Sequence, residues 1–253
     1  MINGRKNHIG AQQLKKISTA RSVFRVFAVL SLSLFTRPSL LCAQNQTSIP
    51  EKIEWTWEVR PQVTNPKLPN VLLIGDSITR NYFPQVAEDL GSIANVYLMA
   101  SSTSVGDPRL PGQIAEYAAL QDVSFAVIHF NNGLHGWGYT EAQFKSGFPR
   151  FLQAIRALPG HGKLIWTTIT PVKPEASNGA SNSRIEARNA IARGFIEAER
   201  IPIDDQYALM TQHPDLYEDA FHFNKAGSAM MGVQAATSIR RALENSGRER
   251  PGH

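Results

Sequence analysis

Along residues 70–205, short runs of apolar residues alternate with longer stretches in which apolar side chains recur every three or four positions. Runs of the first kind, at residues 71–74, 96–99, 125–130, 164–169 and 201–203, have the length and the flanking turn residues of strands. In the clearest of the longer stretches Phe144, Phe148, Phe151, Ile155 and Leu158 follow one another at steps of four, three, four and three, the spacing of one helix face, and Pro149 is expected to kink that helix. A last helix is marked in the same way by Ala226, Met230, Val233, Ala236, Ile239 and Leu243, which are expected to face the core. Strand and helix alternating at this interval predict βαβ units and a parallel sheet of five strands.

The flanks read differently. Residues 1–43 hold seven Lys or Arg and no acidic residue; within them a long cationic segment precedes the uncharged run 26–35, and Ala43 supplies a small residue for a peptidase. That is the layout of a secretory signal. The run is too short to span a bilayer, which takes ~20 residues of helix. Leu41 is a poor neighbour for lipidation of Cys42, and Arg25 and Arg37 bracket the run too closely for a buried helix. The expectation is export to the periplasm or the extracellular space, with no stable membrane insertion after cleavage. Removing those seven from the 26 basic residues leaves 19 against 21 acidic ones, so the body is not basic and no nucleic-acid partner is implied. Cys42 is the sole cysteine, which excludes a disulfide, a Cys-ligated metal and a thiol nucleophile from the chain beyond it.

Residues 44–69 carry Pro50, Pro61, Pro66 and Pro69 and predict an extended arm. Trp55 and Trp57 stand two apart within it, so both rings face one way, either covering an apolar groove or forming a platform for a sugar. A domain is expected over residues 70–246 and a frayed tail over 247–253.

Ligands of an open parallel sheet bind beyond the carboxyl ends of its strands. The first strand delivers Gly75, Asp76 and Ser77 there, where a helix should begin. Ser77 is either the cap of that helix or a nucleophile beside its positive end. Of the seven histidines, His129 lies in an apolar strand and reads as a core residue, while His161 and His213 sit in turns. His222 follows Asp219 by three residues just before the last helix, a spacing at which a turn brings the carboxylate to one ring nitrogen and leaves the other for Ser77.

These residues resemble the SGNH, or GDSL-type, hydrolase family. Its pattern is Gly-Asp-Ser after the first strand, a glycine after the second, Gly-x-Asn-Asp after the third, and Asp-x-x-His before the last helix. The first and last blocks are intact here. The second is matched by Gly106 and Asp107, and the third departs, with Asn131 and Asn132 in its slot. The resemblance covers about residues 70–243. It implies a three-layer α/β/α sandwich with a flavodoxin-like sheet, Ser77 as nucleophile, His222 as base and Asp219 as its orienting carboxylate. It also implies an oxyanion hole from the amides of Ser77 and Gly106 with the side chain of Asn131, or else of Asn132, and it requires no cofactor and no metal. Asp76 reads as structural.

The loops after the strands are rich in hydroxyls, amides and aromatics, and His135, Trp137 and Tyr139 are the expected substrate contacts. A secreted esterase removing acetyl or another small acyl group from a glycan or small-molecule ester is the leading expectation. A lysophospholipase or thioesterase and a non-catalytic carbohydrate-binding module are the alternatives. A flavin-binding protein fits less well, because the first loop lacks a phosphate cradle.

Overall fold

The computed structural model describes residues 47–177 and 179–248, with side chains up to residue 245. The expected signal segment and most of the expected tail lie outside the described residues. The strands are β1 (Thr56–Val59), β2 (Asn70–Gly75), β3 (Asn95–Ser101), β4 (Val127–Phe130), β5 (Lys163–Thr167) and β6 (Ile203–Asp204). The helices are α1 (Ser77–Leu90), α2 (Leu110–Gln121), α3 (Glu141–Arg156), α4 (Asn182–Ala198), α5 (Gln206–Thr211) and α6 (Lys225–Arg248).

The sheet order is β1-β3-β2-β4-β5-β6, so the chain adds β3 on one side of β2 and then switches to the other side for β4, β5 and β6. All five expected strands are present and parallel. The sheet has six strands rather than five because the arm contributes β1, antiparallel to β3 with Trp57 opposite Ala100. Four residues in a Pro-rich stretch carry little periodicity of their own, and β3 supplies the pairing.

Helix α3 runs unbroken through Pro149. Its apolar stripe is buried on Phe144, Phe148, Phe151 and Ile155, and a capping box between Thr140 and Gln143 starts it. The expected core face of α6 is shifted. Val233 is 50% exposed and Ala226 is exposed, whereas Ser228, Met231, Ala235, Ala236 and Ile239 are buried. Gly232 explains the shift, since a Cβ there would lie 2.5 Å from Gln85 Cβ of α1. Small residues let the two backbones approach closely, and that contact overrides the bulkier apolar side chains in setting the buried face.

The arm crosses the carboxyl edge of the sheet and is bonded to the loops there. Ser48 Oγ donates to Asp107 at 2.6 Å, Trp55 N–H donates to Ser102 Oγ at 2.9 Å, and Ser102 N–H returns a bond to Trp55 O at 3.1 Å. No helix among the described residues is long and apolar enough to cross a membrane.

Candidate active site

Strand β2 ends at Gly75, and the next two residues start α1. Asp76 caps the helix by accepting from Ile78 N–H at 3.0 Å, and its second oxygen accepts from Leu134 N–H at 3.3 Å. It therefore ties the loop after β4 to the start of α1, as its structural reading implies. Ser77 is the first residue of α1 and only 6% exposed, with its hydroxyl at the amino end of the helix.

From the other end of the chain comes a tight turn closed by the pairing of Tyr217 with Phe223, whose rings stack 4.4 Å apart. Within it one oxygen of Asp219 accepts from the amides of Phe221 and His222, both at 2.7 Å. The other oxygen is 2.8 Å from His222 Nδ1. An ionised carboxylate only accepts, so Nδ1 carries the proton and Nε2 presents its lone pair. Nε2 lies 2.8 Å from Ser77 Oγ, across 145 residues of sequence. Burial alone would raise the Asp219 carboxyl, but the two amides and the imidazole hold it below the usual carboxylate range. A hydroxyl, an oriented imidazole and an ionised carboxylate in line can move a proton from oxygen to nitrogen and return it.

Beside Ser77, strand pairing sets Asn131 level with the end of β2, and its amide donates to Ile74 O at 2.8 Å. No described protein group accepts from its side-chain Nδ2. A small cavity of about 10 Å³, lined by polar side chains such as Thr167, Thr170 and Gln206 and by apolar ones such as Ile78 and Leu134, adjoins it. Asn132 turns the other way: its Nδ2 donates to Thr103 O at 2.8 Å, and its Oδ1 accepts from Val105 N–H at 3.2 Å. Both of its polar atoms are thus bound to the loop after β3. In that loop the Gly106 amide donates to Ser104 Oγ at 3.2 Å, so it is engaged within its own turn. The amides of Ser77 and Ser104 have no described protein acceptor.

The loop after β4 is held from behind by two arginines of α4. Arg188 is fully buried, and its guanidinium donates to the carbonyls of Gly133, His135, Gly136 and Tyr139 at 2.9–3.2 Å. Arg184 donates to the carbonyls of Trp137 and Tyr139 and to Glu141. Burial and the charge of Arg184 bring Arg188 down to about 10, so it stays cationic at neutral pH. Gly136 lies in the left-handed region at φ +71, with Ser104 pressed against it, and a side chain there would meet both strain and collision.

Two of the expected substrate contacts, Trp137 and Tyr139, also have partners within the protein. Tyr139 is 1% exposed, and its hydroxyl donates to Asp107 at 3.0 Å and accepts from the Ile49 amide of the arm. Trp137 has the Arg188 guanidinium 4.2 Å from its ring centroid, so that face is occupied. His135 is bonded to the arm. It follows Leu134, which is bonded to Asp76, and its Nδ1 is 3.0 Å from Glu51 of the arm. Burial alone would lower the imidazole, but the Glu51 bond and the charges of Asp76, Glu51 and Glu54 raise it above its ordinary range. His129 is fully buried with Nε2 2.8 Å from Asp204, in keeping with a core histidine.

The structure adds residues that sequence reasoning passed over: Glu51, Arg80, Ser104, Arg184 and Arg188. Arg184 and Arg188 stand four apart on α4, a spacing that puts both on one helix face, but charged residues on a helix ordinarily signal a solvated side. No cluster of three or more His, Cys, Asp or Glu able to hold a metal occurs among the described residues.

A family model described as the GDSL-like Lipase/Acylhydrolase family matches residues 73–230. No curated protein sequence matches the chain. Similar solved structures include a carbohydrate esterase family 3 protein from Talaromyces cellulolyticus, at 18% identity and TM-score 0.55, covering 70% of this chain and 99% of that one. A lipase/acylhydrolase from Enterococcus faecalis is 20% identical at TM-score 0.53, covering 74% and 100%. The C-terminal catalytic domain of peptidoglycan O-acetyltransferase A from Streptococcus pneumoniae is 17% identical at TM-score 0.51, covering 70% and 96%. At these identities the likeness is one of fold.

Proposed function

The chain belongs to the GDSL-like lipase/acylhydrolase family and is a carboxylic ester hydrolase, and from that premise we propose that it is an exported serine esterase removing small acyl groups from carbohydrate. The observation that carries the mechanism is the pair of 2.8 Å bonds that place His222 between Ser77 and Asp219. Ser77 Oγ attacks the ester carbonyl as its proton passes to His222 Nε2, and Asp219 stabilises the imidazolium. The tetrahedral intermediate collapses with cleavage of the bond to the leaving alcohol, which takes the proton from His222. Water then attacks the acyl-enzyme, giving its proton to His222. The carboxylic acid leaves as that proton returns to Ser77.

Negative charge developing on the carbonyl oxygen is met by the amides of Ser77 and Ser104 and by Asn131 Nδ2, donors near the strand ends for which no described protein group accepts. Asn132 positions the loop that carries Ser104.

A carbohydrate alcohol is supported by the run of polar and aromatic contacts from Arg80 through Trp55 to His135, in the loop whose Leu134 amide is bonded to Asp76. The names of the similar carbohydrate esterase and peptidoglycan O-acetyltransferase lend further support. Residues 1–43 act as a cleaved leader in this reading. A lipid ester is the second reading, favoured by a groove of about 810 Å³ lined in part by Trp57, Val59, Phe83 and Phe223. Hydrolysis of p-nitrophenyl acetate, butyrate and octanoate, together with acetylated xylan, separates the two. Small-acyl esterase activity requires acetate to be the best of the series and acetylated xylan to release acetate; a preference for octanoate supports the lipid reading. No turnover on any of them supports a binding module.

A further inference from the structure

Arg80 lies three residues after Ser77, on the same face of α1, and its backbone amide is bonded to Asp76 O at 3.0 Å. Its guanidinium carbon stands 5.2 Å from the ring centroid of Trp55 and 5.5 Å from that of Trp57. No described carboxylate or carbonyl accepts from the guanidinium. The acidic residues on the nearby arm are engaged elsewhere. Glu51 is bonded to His135 and to the Gly136 amide, and Glu54 to Arg109. Glu58 is next to Trp57 in a strand and so points to the opposite face of the sheet.

A guanidinium is a planar fork of donors suited to two carboxylate oxygens, and stacking on indole holds its plane without using its N–H groups. Trp57 is 53% exposed, an outlay of apolar surface that a sugar ring could cover. On its other side Trp55 meets His135 edge-on at 5.6 Å, which makes the wall continuous from Arg80 to the loop bonded to Asp76. The groove bordering Arg80 and Trp57 also carries Glu88, Glu218 and Lys225, so its charges are mixed. Selectivity must therefore reside in the paired geometry of guanidinium and indole rings, and not in a diffuse positive field.

We infer that Arg80, Trp55 and Trp57 form a subsite for a carboxylate-bearing sugar, so that the esters cleaved at Ser77 are those of acidic glycans. The carboxylate accepts from the Arg80 fork while the ring lies on Trp57. This rests on the carbohydrate-ester reading above, and it is testable without turnover.

Binding of trigalacturonate and of its fully methyl-esterified form to the full chain carrying Ser77→Ala, followed by titration calorimetry, isolates the carboxylate, because the two trimers share the same rings and the variant lacks the nucleophile that would cleave the methyl esters. The free acid should bind at least ~10-fold more tightly than the methyl ester, and that preference should fade with added salt. Arg80→Gln should abolish the preference, Arg80→Lys should restore part of it, and Trp57→Ala should weaken both trimers. Equal affinity for acid and ester, an unchanged preference in Arg80→Gln, or binding of neither trimer would overturn the inference. Binding of neither trimer together with salt-sensitive, Arg80-dependent binding to phosphatidylglycerol vesicles would assign the guanidinium to a lipid phosphate instead. Trigalacturonate carries no ester bond, so its binding is read apart from catalysis, and absence of esterase activity in the wild type with that binding intact would implicate the Ser77 assignment and leave the subsite standing.

Discussion

The side chain of Asn132 donates to the carbonyl of Thr103 at 2.8 Å and accepts from the Val105 amide, so it fastens the loop after β4 to the loop after β3. Asn131, its neighbour, keeps its Nδ2 clear of any described acceptor. Adjacent asparagines thus have different work. Asn131→Ala is expected to lower kcat by ~10² to 10³ with little change in KM, because the bond strengthens only as charge develops on the oxygen. Asn132→Ala is expected to cost about 1–3 kcal/mol of stability through two lost buried bonds and to reduce kcat less. Steady-state kinetics and thermal unfolding of both variants check this; a crippled Asn132→Ala with an active Asn131→Ala would exchange their roles.

Asp219 accepts two backbone amides besides the imidazole, so replacing it disturbs the turn as well as the tautomer. Asp219→Asn should retain the fold and lose up to ~10⁴ in kcat, as an amide can present its NH₂ to Nδ1 and favour the wrong tautomer. His222→Ala removes the base itself and should be at least as damaging. A His222→Ala enzyme clearly faster than Asp219→Asn would count against His222 as the proton acceptor.

Arg188 supplies donors to four carbonyls of the loop that carries Asn131 and His135. Methionine fills a similar volume and donates nothing. Arg188→Met should therefore destabilise the fold by about 3 kcal/mol or more, since several buried carbonyls lose their partners at once. In a chain of this size that corresponds to a fall in Tm of roughly 6–12 °C. A Tm within about 2 °C of the wild type would show that the carbonyls find other donors.

Burial alone would raise Asp107, yet the bonds from Arg109, Ser48 and Tyr139 hold it down to about 2. A folded-state value below the ordinary 3.8 means that its contribution is fully present above that pH and is lost as pH falls through about 2. Asp107→Asn should lower Tm by a constant amount above about pH 5, and the gap should close towards pH 2. Thermal unfolding from pH 7 to pH 2 checks the sign; a gap that widens on acidification would contradict it.

Much of the fold and part of the site are legible in the sequence. Apolar spacing locates β2 to β6 and the buried face of α3, because a core imposes its repeat on whatever packs against it. Ser77 stands out because it sits at a strand end where a helix starts, and His222 because its carboxylate partner, Asp219, is only three residues away. The misreadings share a cause, which is dependence on distant partners. Strand β1 exists through its pairing with β3, and the α6 face is turned by the approach of Gly232 to Gln85. The partners of Trp137 and Tyr139, Arg188 and Asp107, are likewise distant in sequence and invisible in it. Arg188 itself is unreadable from sequence, since its burial depends on four carbonyls some fifty residues away.

Ser77 as an activated nucleophile is tested most directly by covalent capture. A fluorophosphonate probe reacts with an activated serine and forms a stable adduct whose position peptide mass spectrometry identifies. The expected result is one adduct per chain, on Ser77, formed rapidly in the wild type, far more slowly in His222→Ala, and not at all in Ser77→Ala, which should remain folded and hydrolyse p-nitrophenyl acetate at a background rate. An adduct on another residue, labelling that His222→Ala leaves unchanged, or esterase activity in Ser77→Ala above roughly a tenth of wild type would contradict it, given that loss of such a nucleophile costs ~10⁶ in a serine protease.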